Sequence, residues 1–163
     1  MYKRQVPAGD YEISVLGLPD DVYLKSVILG RQDVSDSGFS VEAGGAAYQL
    51  TITLSTAGGL VEAVVQDDGD RPVAGAQVVL IPDERHWSQD RLFKSVTTDQ
   101  NGRCLIKGVA PGDYILIASD GMDAETLGDR DLLKKLAKRG EPVSVGERER
   151  STKQMKLTPA DAN

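Results

Sequence analysis

The sequence predicts an all-β fold with one short helix, and three observations lead to that prediction. Short apolar runs recur along the chain, separated by Gly, Pro and Asp, and glycine alone occurs 17 times in 163 residues. Several runs alternate apolar and polar residues, as strands do when one face of their sheet is buried. Nearly the same six letters also occur twice, "VPAGDY" at 6–11 and "VAPGDY" at 109–114.

The overall composition excludes several classes of protein. The formal net charge is −6, which argues against a nucleic-acid partner because phosphate binding needs a basic face. It contains no run of 18 apolar residues, and a helical membrane span is therefore not predicted in this segment. Cys104 is the sole cysteine, which excludes an intrachain disulfide and a multi-cysteine metal site.

Each of the six-letter copies opens a longer repeat. An alternating strand follows at once, predicted over 11–18 in the first copy and over 114–120 in the second. About thirty residues later each copy ends in another alternating strand, within 39–55 and 143–159. The shared order of elements indicates two related β modules.

Only the second copy has strand-like segments in front of its six letters, within 58–108. We therefore expect residues 6–57 to be the C-terminal part of a truncated module and residues 58–159 to form a complete one, with 160–163 as a tail. A module that lacks its front strands should expose unpaired strand edges. Such edges would dock on the complete module, pair between chains or remain poorly ordered.

The first five residues, "MYKRQ", differ from the rest of the chain. They resemble the translation of a common transposase-end sequencing adaptor read from a GTG start. The sequence therefore predicts that residues 1–5 are a non-native scar and that the natural protein continues upstream. On that interpretation the lack of a signal peptide carries no information about localisation.

The complete module opens with two strands separated by an acidic turn. Their inward faces are predicted to consist of Val61, Ala63 and Val65 in the first strand and Ala76, Val78 and Leu80 in the second. The turn between them reads "DDGD", where Gly69 is expected to adopt a positive φ at little steric cost. Pro82 is expected to end the second strand.

The segment "TTDQNGRCL" predicts a hairpin. The Asp99 carboxylate can accept hydrogen bonds from the turn amides, and Asn101 and Gly102 supply the left-handed positions. Cys104 and Ile106 then share an inward face, so the thiol is expected to be a core side chain.

The six-letter repeat is expected to form the same sharp corner twice. Pro111 and Gly112 fit the two central positions of a type II turn, which require a fixed φ and then a positive φ. Tyr114, like Tyr11 in the first copy, is expected to start a strand and pack inward with its hydroxyl bonded to backbone.

One helix is predicted within "GDRDLLKKLAKRG". Asp129 is its expected N-cap and Gly140 ends it. Its apolar stripe consists of Leu132, Leu133 and Leu136. Because the strand at 114–120 is apolar on both faces, this helix or the loop around Trp87 is expected to cover the outer face.

Two segments with explicit turns resemble a known family. They read "GLVEAVVQDDGDRPVAGAQVVLIP" at 59–82 and "TTDQNGRCLIKGVAPGDY" at 97–114. Together they resemble the carboxypeptidase regulatory-like domain, which is related to the B-type repeats of collagen adhesins. The resemblance implies an antiparallel, Greek-key, prealbumin-like β-sandwich of about seven strands.

The same resemblance implies a function. Members of this family are non-catalytic modules of secreted or cell-envelope bacterial proteins, often in tandem. The expectation is therefore a structural spacer or protein-interaction module, with neighbouring β modules of the same polypeptide as partners and proteins or glycans at the cell surface as further ones. Localisation would be secreted, periplasmic or at the cell surface.

Two features of related proteins are missing. Adhesin-type relatives can carry a Lys–Asn isopeptide bond between their first and last strands, whereas residues 60–66 here contain no Lys and residues 152–157 no Asn or Asp. That cross-link is therefore not expected. The chain also lacks a zinc-peptidase motif, so the resemblance reaches only the accessory domain.

The loop "PDERHWSQDR" at 82–91 is the candidate ligand site. An aromatic ring among polar neighbours is the composition of a sugar-binding platform, and the residues concerned are His86, Trp87, Gln89, Asp90 and Arg91. A carbohydrate-binding, starch-binding-like module is therefore the alternative function. The competing interpretation is that Trp87 folds back to cover the sandwich.

No catalytic or cofactor site is predicted. His86 is the sole histidine, no nucleophile-elbow motif occurs, and a triad with Ser88 cannot be derived from neighbours in sequence. The acidic turns at 67–70 and 99–102 contain calcium-type ligands without the spacing of a calcium loop, and turn chemistry explains both. The sequence therefore predicts a protein without enzymatic activity, metal or cofactor.

Overall fold

A computed structural model describes residues 6–44, 49–121 and 129–158. The predicted scar at 1–5 and the tail at 160–163 lie outside the described residues. The elements of residues 6–57, called here the first region, are β1 (Gly9–Tyr11), β2 (Tyr23–Leu29), β3 (Gln32–Asp33), β4 (Phe39–Val41) and β5 (Leu50–Ser55).

Residues 58–158 are called here the sandwich, and their described part contains seven strands and a helix. These are β6 (Gly59–Gln66), β7 (Gln77–Pro82), β8 (Lys94–Thr97), β9 (Arg103–Val109), β10 (Gly112–Ser119), α1 (Arg130–Ala137), β11 (Glu141–Val145) and β12 (Arg150–Lys156). Two short 3₁₀ turns, Glu84–His86 and Asp90–Leu92, lie between β7 and β8.

The seven strands form two facing sheets, in the orders β12-β6-β9 and β11-β10-β7-β8. The predicted fold class, an all-β sandwich with one helix, is confirmed. Neighbouring strands are antiparallel except for the first and last of the sandwich, β6 and β12, which pair in parallel. The parallel pair joins the two ends of the sandwich directly.

The core between the sheets consists of the side chains that the alternation predicted. Its buried members include Val61, Ala63, Val65, Ala76, Val78, Leu80, Cys104 and Ile106. Leu116 of β10 is also fully buried there. Burial of alternate residues on facing sheets is the main stabilising contribution to a fold of this kind.

A second cluster covers the outer face of β7 and β10. Its buried members are Val79, Ile81, Trp87, Ile117 and Leu133. The sequence predicts that either α1 or the Trp87 loop covers this outer face, and side chains from both belong to the cluster. The Asp129 carboxylate caps α1 by accepting hydrogen bonds from the backbone N–H groups of Asp131, at 2.9 Å, and Leu132, at 3.2 Å. The helix ends at Ala137, just before Gly140.

The acidic turn after β6 differs from its prediction. Gly69 does not have a positive φ; Asp70 does, with φ at 60°. The reason is that Asp67 organises the turn: its carboxylate accepts hydrogen bonds from the backbone N–H groups of Gly69 at 2.9 Å and Arg71 at 3.0 Å.

The predicted hairpin at 97–105 is wrong, although the turn itself is present. β8 belongs to one sheet and β9 to the other, so the turn connects the two sheets. Asp99 accepts from the N–H groups of Asn101 at 2.8 Å and Arg103 at 2.9 Å, as expected. Gly102 alone is left-handed, with φ at 69°. A Cβ there would lie 2.6 Å from the carbonyl oxygen of Val65.

The first region forms a smaller pair of sheets, β1-β4 and β3-β2-β5. Its buried core consists of Leu24, Val27 and Val34. The strand predicted over 11–18 is wrong in extent, since β1 ends at Tyr11. Ile13 and Val15 nevertheless pack against this core. The strand predicted within 39–55 is two separate strands, β4 and β5.

The repeated corner is confirmed as a repeat, and its turn type is corrected. Gly9 and Gly112 have nearly the same φ, 158° and 159°, which is close to extended backbone and not the φ of about 80° that a type II turn requires. Tyr11 donates its hydroxyl hydrogen to the carbonyl oxygen of Pro7 at 2.9 Å. Tyr114 donates to the carbonyl oxygen of Ala110 at 2.8 Å.

Candidate functional site

The candidate loop contains hydrogen bonds between its own residues. Asp83 caps the first 3₁₀ turn, accepting a hydrogen bond from the backbone N–H of Arg85 at 3.2 Å. The guanidinium of Arg85 donates to the same carboxylate at 2.7 Å, and these bonds hold the pKa of Asp83 below its ordinary value. The start of the loop is therefore bonded to itself.

Trp87 faces inward and offers no ring face to a ligand. Only 8% of the residue is exposed, and the indole packs in the outer cluster beside Ile81, Ile117 and Leu133. Its Nε1 donates to the carbonyl oxygen of Pro82 at 2.9 Å, which satisfies the one polar group of the ring. Burial of the ring corrects the suggested stacking platform, because a sugar can stack only on an exposed aromatic face.

Gln89 and Arg91 connect the loop to the first region. Gln89 is 4% exposed, and its side-chain oxygen accepts from Nη2 of Arg91 at 2.9 Å. The same nitrogen lies 2.7 Å from Oδ1 of Asp36 and 3.4 Å from the carbonyl oxygen of Ser35. Arg91 therefore joins two parts of the chain that are 55 residues apart in sequence.

The five candidate residues do not converge on one cavity. His86, Gln89 and Arg91 line a shallow groove of about 350 Å³ whose other wall comes from the first region. Asp90 faces a larger groove of about 900 Å³ between the same two parts of the chain. Trp87 lines neither groove. The structure thus relates the loop to the contact between the first region and the sandwich, which we call the seam.

The seam contains further polar contacts. Lys25 and Glu147 form an ion pair at 3.2 Å, and Lys107 lies 3.6 Å from Asp20. Both pairs are exposed to solvent, so each contributes at most about 1 kcal/mol. They therefore orient the two parts more than they hold them together.

Close backbone packing gives the seam its shape. Gly108 has φ at 62°, and a Cβ there would lie 2.4 Å from the carbonyl oxygen of Asp20. A Cβ on Gly58 would lie 2.9 Å from the carbonyl oxygen of Asp21. Such approaches are possible only for glycine.

Docking of the first region on the complete module was one of three expectations from the sequence, but the residues that form the seam were not predicted. Asp36, Asp20 and Gly108 carried no recognisable signal, because their partners lie far away in sequence. Only the folded arrangement shows that Gly108 touches the first region.

Cys104 and Tyr114 are both buried in the core of the sandwich. Burial raises the pKa of the Cys104 thiol to about 11, so it stays protonated near neutral pH. Burial likewise raises the pKa of Tyr114 to about 12. Within the described ranges, no group of three or more His, Cys, Asp or Glu side chains is placed to hold a metal ion. The part of the chain that the structure describes also has no helix long and apolar enough to cross a membrane.

Comparisons with known proteins give only distant likenesses. No protein-family model and no curated protein matches the chain. A streptococcal ancillary pilin is 14% identical, with a TM-score of 0.42 over 93% of this chain and 45% of its own. The Bacillus anthracis TIE protein is 12% identical, with a TM-score of 0.41 over 83% of this chain and 24% of its own.

A third solved structure is 5-hydroxyisourate hydrolase from Klebsiella pneumoniae. It is 13% identical, with a TM-score of 0.36 over 63% of this chain and 87% of its own. This chain spans less than half the length of the streptococcal pilin and of the Bacillus anthracis protein. Likenesses this distant carry no functional argument for this chain.

Proposed function

We propose that the chain is a non-catalytic structural segment of an exported bacterial protein, in which consecutive β modules are held at a fixed angle. The observation that carries this proposal is the seam, where Gly108 packs against the backbone of Asp20 and Arg91 reaches Asp36. A rigid joint of this kind is useful to a spacer because it sets the direction of the next module.

The connection between the two parts supports a fixed joint. Only residues 56–58 separate the end of β5 from the start of β6. The carbonyl oxygen of Ala57, within this connection, accepts a hydrogen bond from the backbone N–H of Arg148 at 2.9 Å. A linker this short and this well bonded leaves the modules little freedom to rotate.

On this proposal residues 6–57 are the C-terminal part of one module and residues 58–159 are a complete module. The contrast in burial supports it. Among the described residues, the main sandwich cluster contains fifteen buried residues, whereas that of the first region contains three. The resemblance to carboxypeptidase regulatory-like domains supports a tandem arrangement, with neighbouring modules as partners and a secreted, periplasmic or cell-surface location.

The alternative of a carbohydrate-binding module lacks support at Trp87, whose ring is covered. The remaining candidate residues, His86, Gln89, Asp90 and Arg91, belong to the grooves beside the seam. We assign Arg91 and Gln89 to joining the modules. Hydrolytic activity that persisted through rigorous purification would contradict the non-catalytic part of the proposal.

The role of the seam can be tested by adding one methyl group that the close backbone packing cannot accommodate. Gly108→Ala would place a Cβ 2.4 Å from the carbonyl oxygen of Asp20 and should separate the two parts. In the wild-type protein, ¹⁵N relaxation should show both parts tumbling as one body. In Gly108→Ala the first region should tumble faster than the sandwich.

Gly75→Ala is the matched control. Gly75 has a similar φ, 76°, and no heavy atom beyond its chain neighbours lies within 4 Å of its ideal Cβ. The control therefore has comparable backbone strain without the collision. Independent tumbling in the wild-type protein would contradict the fixed joint, and equal behaviour of the two variants would contradict the role of Gly108.

A further inference from the structure

The first and last strands of the sandwich are neighbours in one sheet. β6 and β12 pair in parallel, with residues 60–66 opposite residues 150–156. Parallel pairing places the start of β6 beside the start of β12 and the two strand ends beside each other. Tension along the chain therefore pulls β6 at its start and β12 at its end, in opposite directions along the two strands.

Backbone hydrogen bonds close both ends of this pair. At its start the N–H of Leu60 donates to the carbonyl oxygen of Glu149 at 2.8 Å. At its end the N–H of Leu157 donates to the carbonyl oxygen of Gln66 at 2.9 Å. Neither strand contains a proline between these points, so each residue keeps its backbone donor. The ladder of bonds is therefore continuous from one end of the pair to the other.

Side chains add contacts across the same pair. The guanidinium of Arg150 donates to the Glu62 carboxylate at 2.5 Å, and the ammonium of Lys156 donates to the carbonyl oxygen of Asp67 at 2.8 Å. On the inner face, Met155 of β12 is buried in the core between the sheets. The two strands are thus joined by side chains near both ends and covered on one face.

We propose that the β6–β12 pair is a mechanical clamp, which lets the sandwich resist tension applied along the polypeptide. When the strands are pulled in opposite directions along their length, their hydrogen bonds share the force and must break together. When the strands are peeled apart from one end, the bonds break one after another. The same set of bonds therefore withstands much more force in shear than in peeling.

The clamp depends on the sandwich alone, whereas its use in the parent protein rests on the proposed spacer function. A spacer between modules transmits any force that acts on the array. Forced unfolding is governed by the rate of unfolding rather than by equilibrium stability, so the direction of pulling matters as much as the size of the core. A shear-loaded pair at the two ends of the module slows that unfolding.

Single-molecule force spectroscopy of the full chain tests the clamp by changing where the force is applied. Thr56→Cys provides an exposed attachment point just before β6, and the native Cys104 is buried. The second handle is attached either at the C-terminus, which shears the pair, or at Arg148→Cys, which peels the pair from its start. At the same loading rate, shear should require at least about twice the unfolding force of peeling.

Two proline variants test which backbone groups resist the force. Backbone groups alternate between the two sides of a strand, and those of Glu149 and Leu157 bond to β6. By this alternation the N–H of Lys153 faces β6, whereas that of Gln154 faces the outer side, where the described strands include no neighbour. Lys153→Pro should lower the shear force by about a quarter or more, and Gln154→Pro, the matched control, should leave it unchanged.

Circular dichroism checks that both proline variants fold. If Lys153→Pro does not fold, the comparison of the two pulling directions decides the question without it. Equal forces in shear and in peeling would overturn the proposal, and so would a loss of force in Gln154→Pro as large as in Lys153→Pro. Because the force enters at residue 56, a first region that tumbles freely would contradict the fixed joint and leave this result unaffected.

Discussion

The corners at Tyr11 and Tyr114 have the same local structure and different surroundings. In each, the tyrosine hydroxyl donates to a carbonyl oxygen four residues earlier. In each, the preceding aspartate accepts a hydrogen bond from a serine hydroxyl on the paired strand, Asp10 from Ser40 and Asp113 from Ser144. The strand that contains Tyr114 continues to residue 119, whereas the strand that contains Tyr11 ends at Tyr11 itself.

The difference lies in the neighbouring strand. β10 pairs with β11 on one side and with β7 on the other, over residues 114–119. Among the described strands, β1 pairs with β4 alone. Alternating apolar residues follow both tyrosines, but backbone groups without a partner strand do not form a ladder. The corner is thus a local structure, and the length of the strand that follows depends on its neighbour.

The largest contrast between the two parts should appear in core truncations. Leu116→Ala removes a fully buried side chain and should lower the free energy of unfolding of the sandwich by about 2–5 kcal/mol. Val27→Ala should cost about 2 kcal/mol and affect amide exchange in the first region alone. Hydrogen exchange resolved by mass spectrometry measures both.

Leu105→Ala is the control for these truncations. Its side chain is 41% exposed, so its effect should stay within about 0.5 kcal/mol. If Val27→Ala accelerated exchange in β7 and β10 as strongly as Leu116→Ala, the two parts would share one cooperative core and the contrast would fail.

The corner tyrosines give a smaller and more direct comparison. Tyr114→Phe removes the donor to Ala110 in a residue that is 4% exposed, and should cost about 1 kcal/mol. Tyr11→Phe should cost less, because Tyr11 is only half-buried and water can replace its hydroxyl. Urea unfolding curves measure both. Equal losses would show that the corner contributes the same stability whatever surrounds it.

The smallest expected effect is on the stability of the fold at acidic pH. Backbone hydrogen bonds from Arg103 and Asn101 hold the pKa of Asp99 below its ordinary value of 3.8. A depressed pKa stabilises the fold above the unfolded-state pKa, and that contribution disappears as the pH falls through the folded-state pKa. Asp99→Asn should therefore melt below wild type at pH 7, and the difference should shrink below about pH 4.

Asp33 allows the same test of acid response in the first region. The Ser35 hydroxyl and N–H lower its pKa. Asp33→Asn should shift the acid response of the first region and leave that of the sandwich unchanged. Fluorescence of Trp87, the sole tryptophan, reports the sandwich separately. A shift of the fluorescence transition in Asp33→Asn would contradict the separation.

The candidate site shows where sequence reasoning stops. Asp129 as N-cap, the turn bonds of Asp99 and the inward faces of the sandwich strands were all predictable, because each depends on residues close in sequence. The loop that carries Trp87 was singled out by its composition, and ligand binding there stays a prediction. Its role was open, since covering the sandwich and stacking on a sugar need the same residue type.

The sequence by itself determined the corners, caps and strand faces of this protein. The hydrogen bonds of the corners and caps join residues a few positions apart, as from Tyr114 to Ala110, and the strand faces follow from local alternation. Tertiary structure alone decided that Trp87 is buried, that the strand after Tyr11 stops, and that Arg91 meets Asp36 across 55 residues. Pairing and burial depend on which distant segments come together, and no local pattern encodes that.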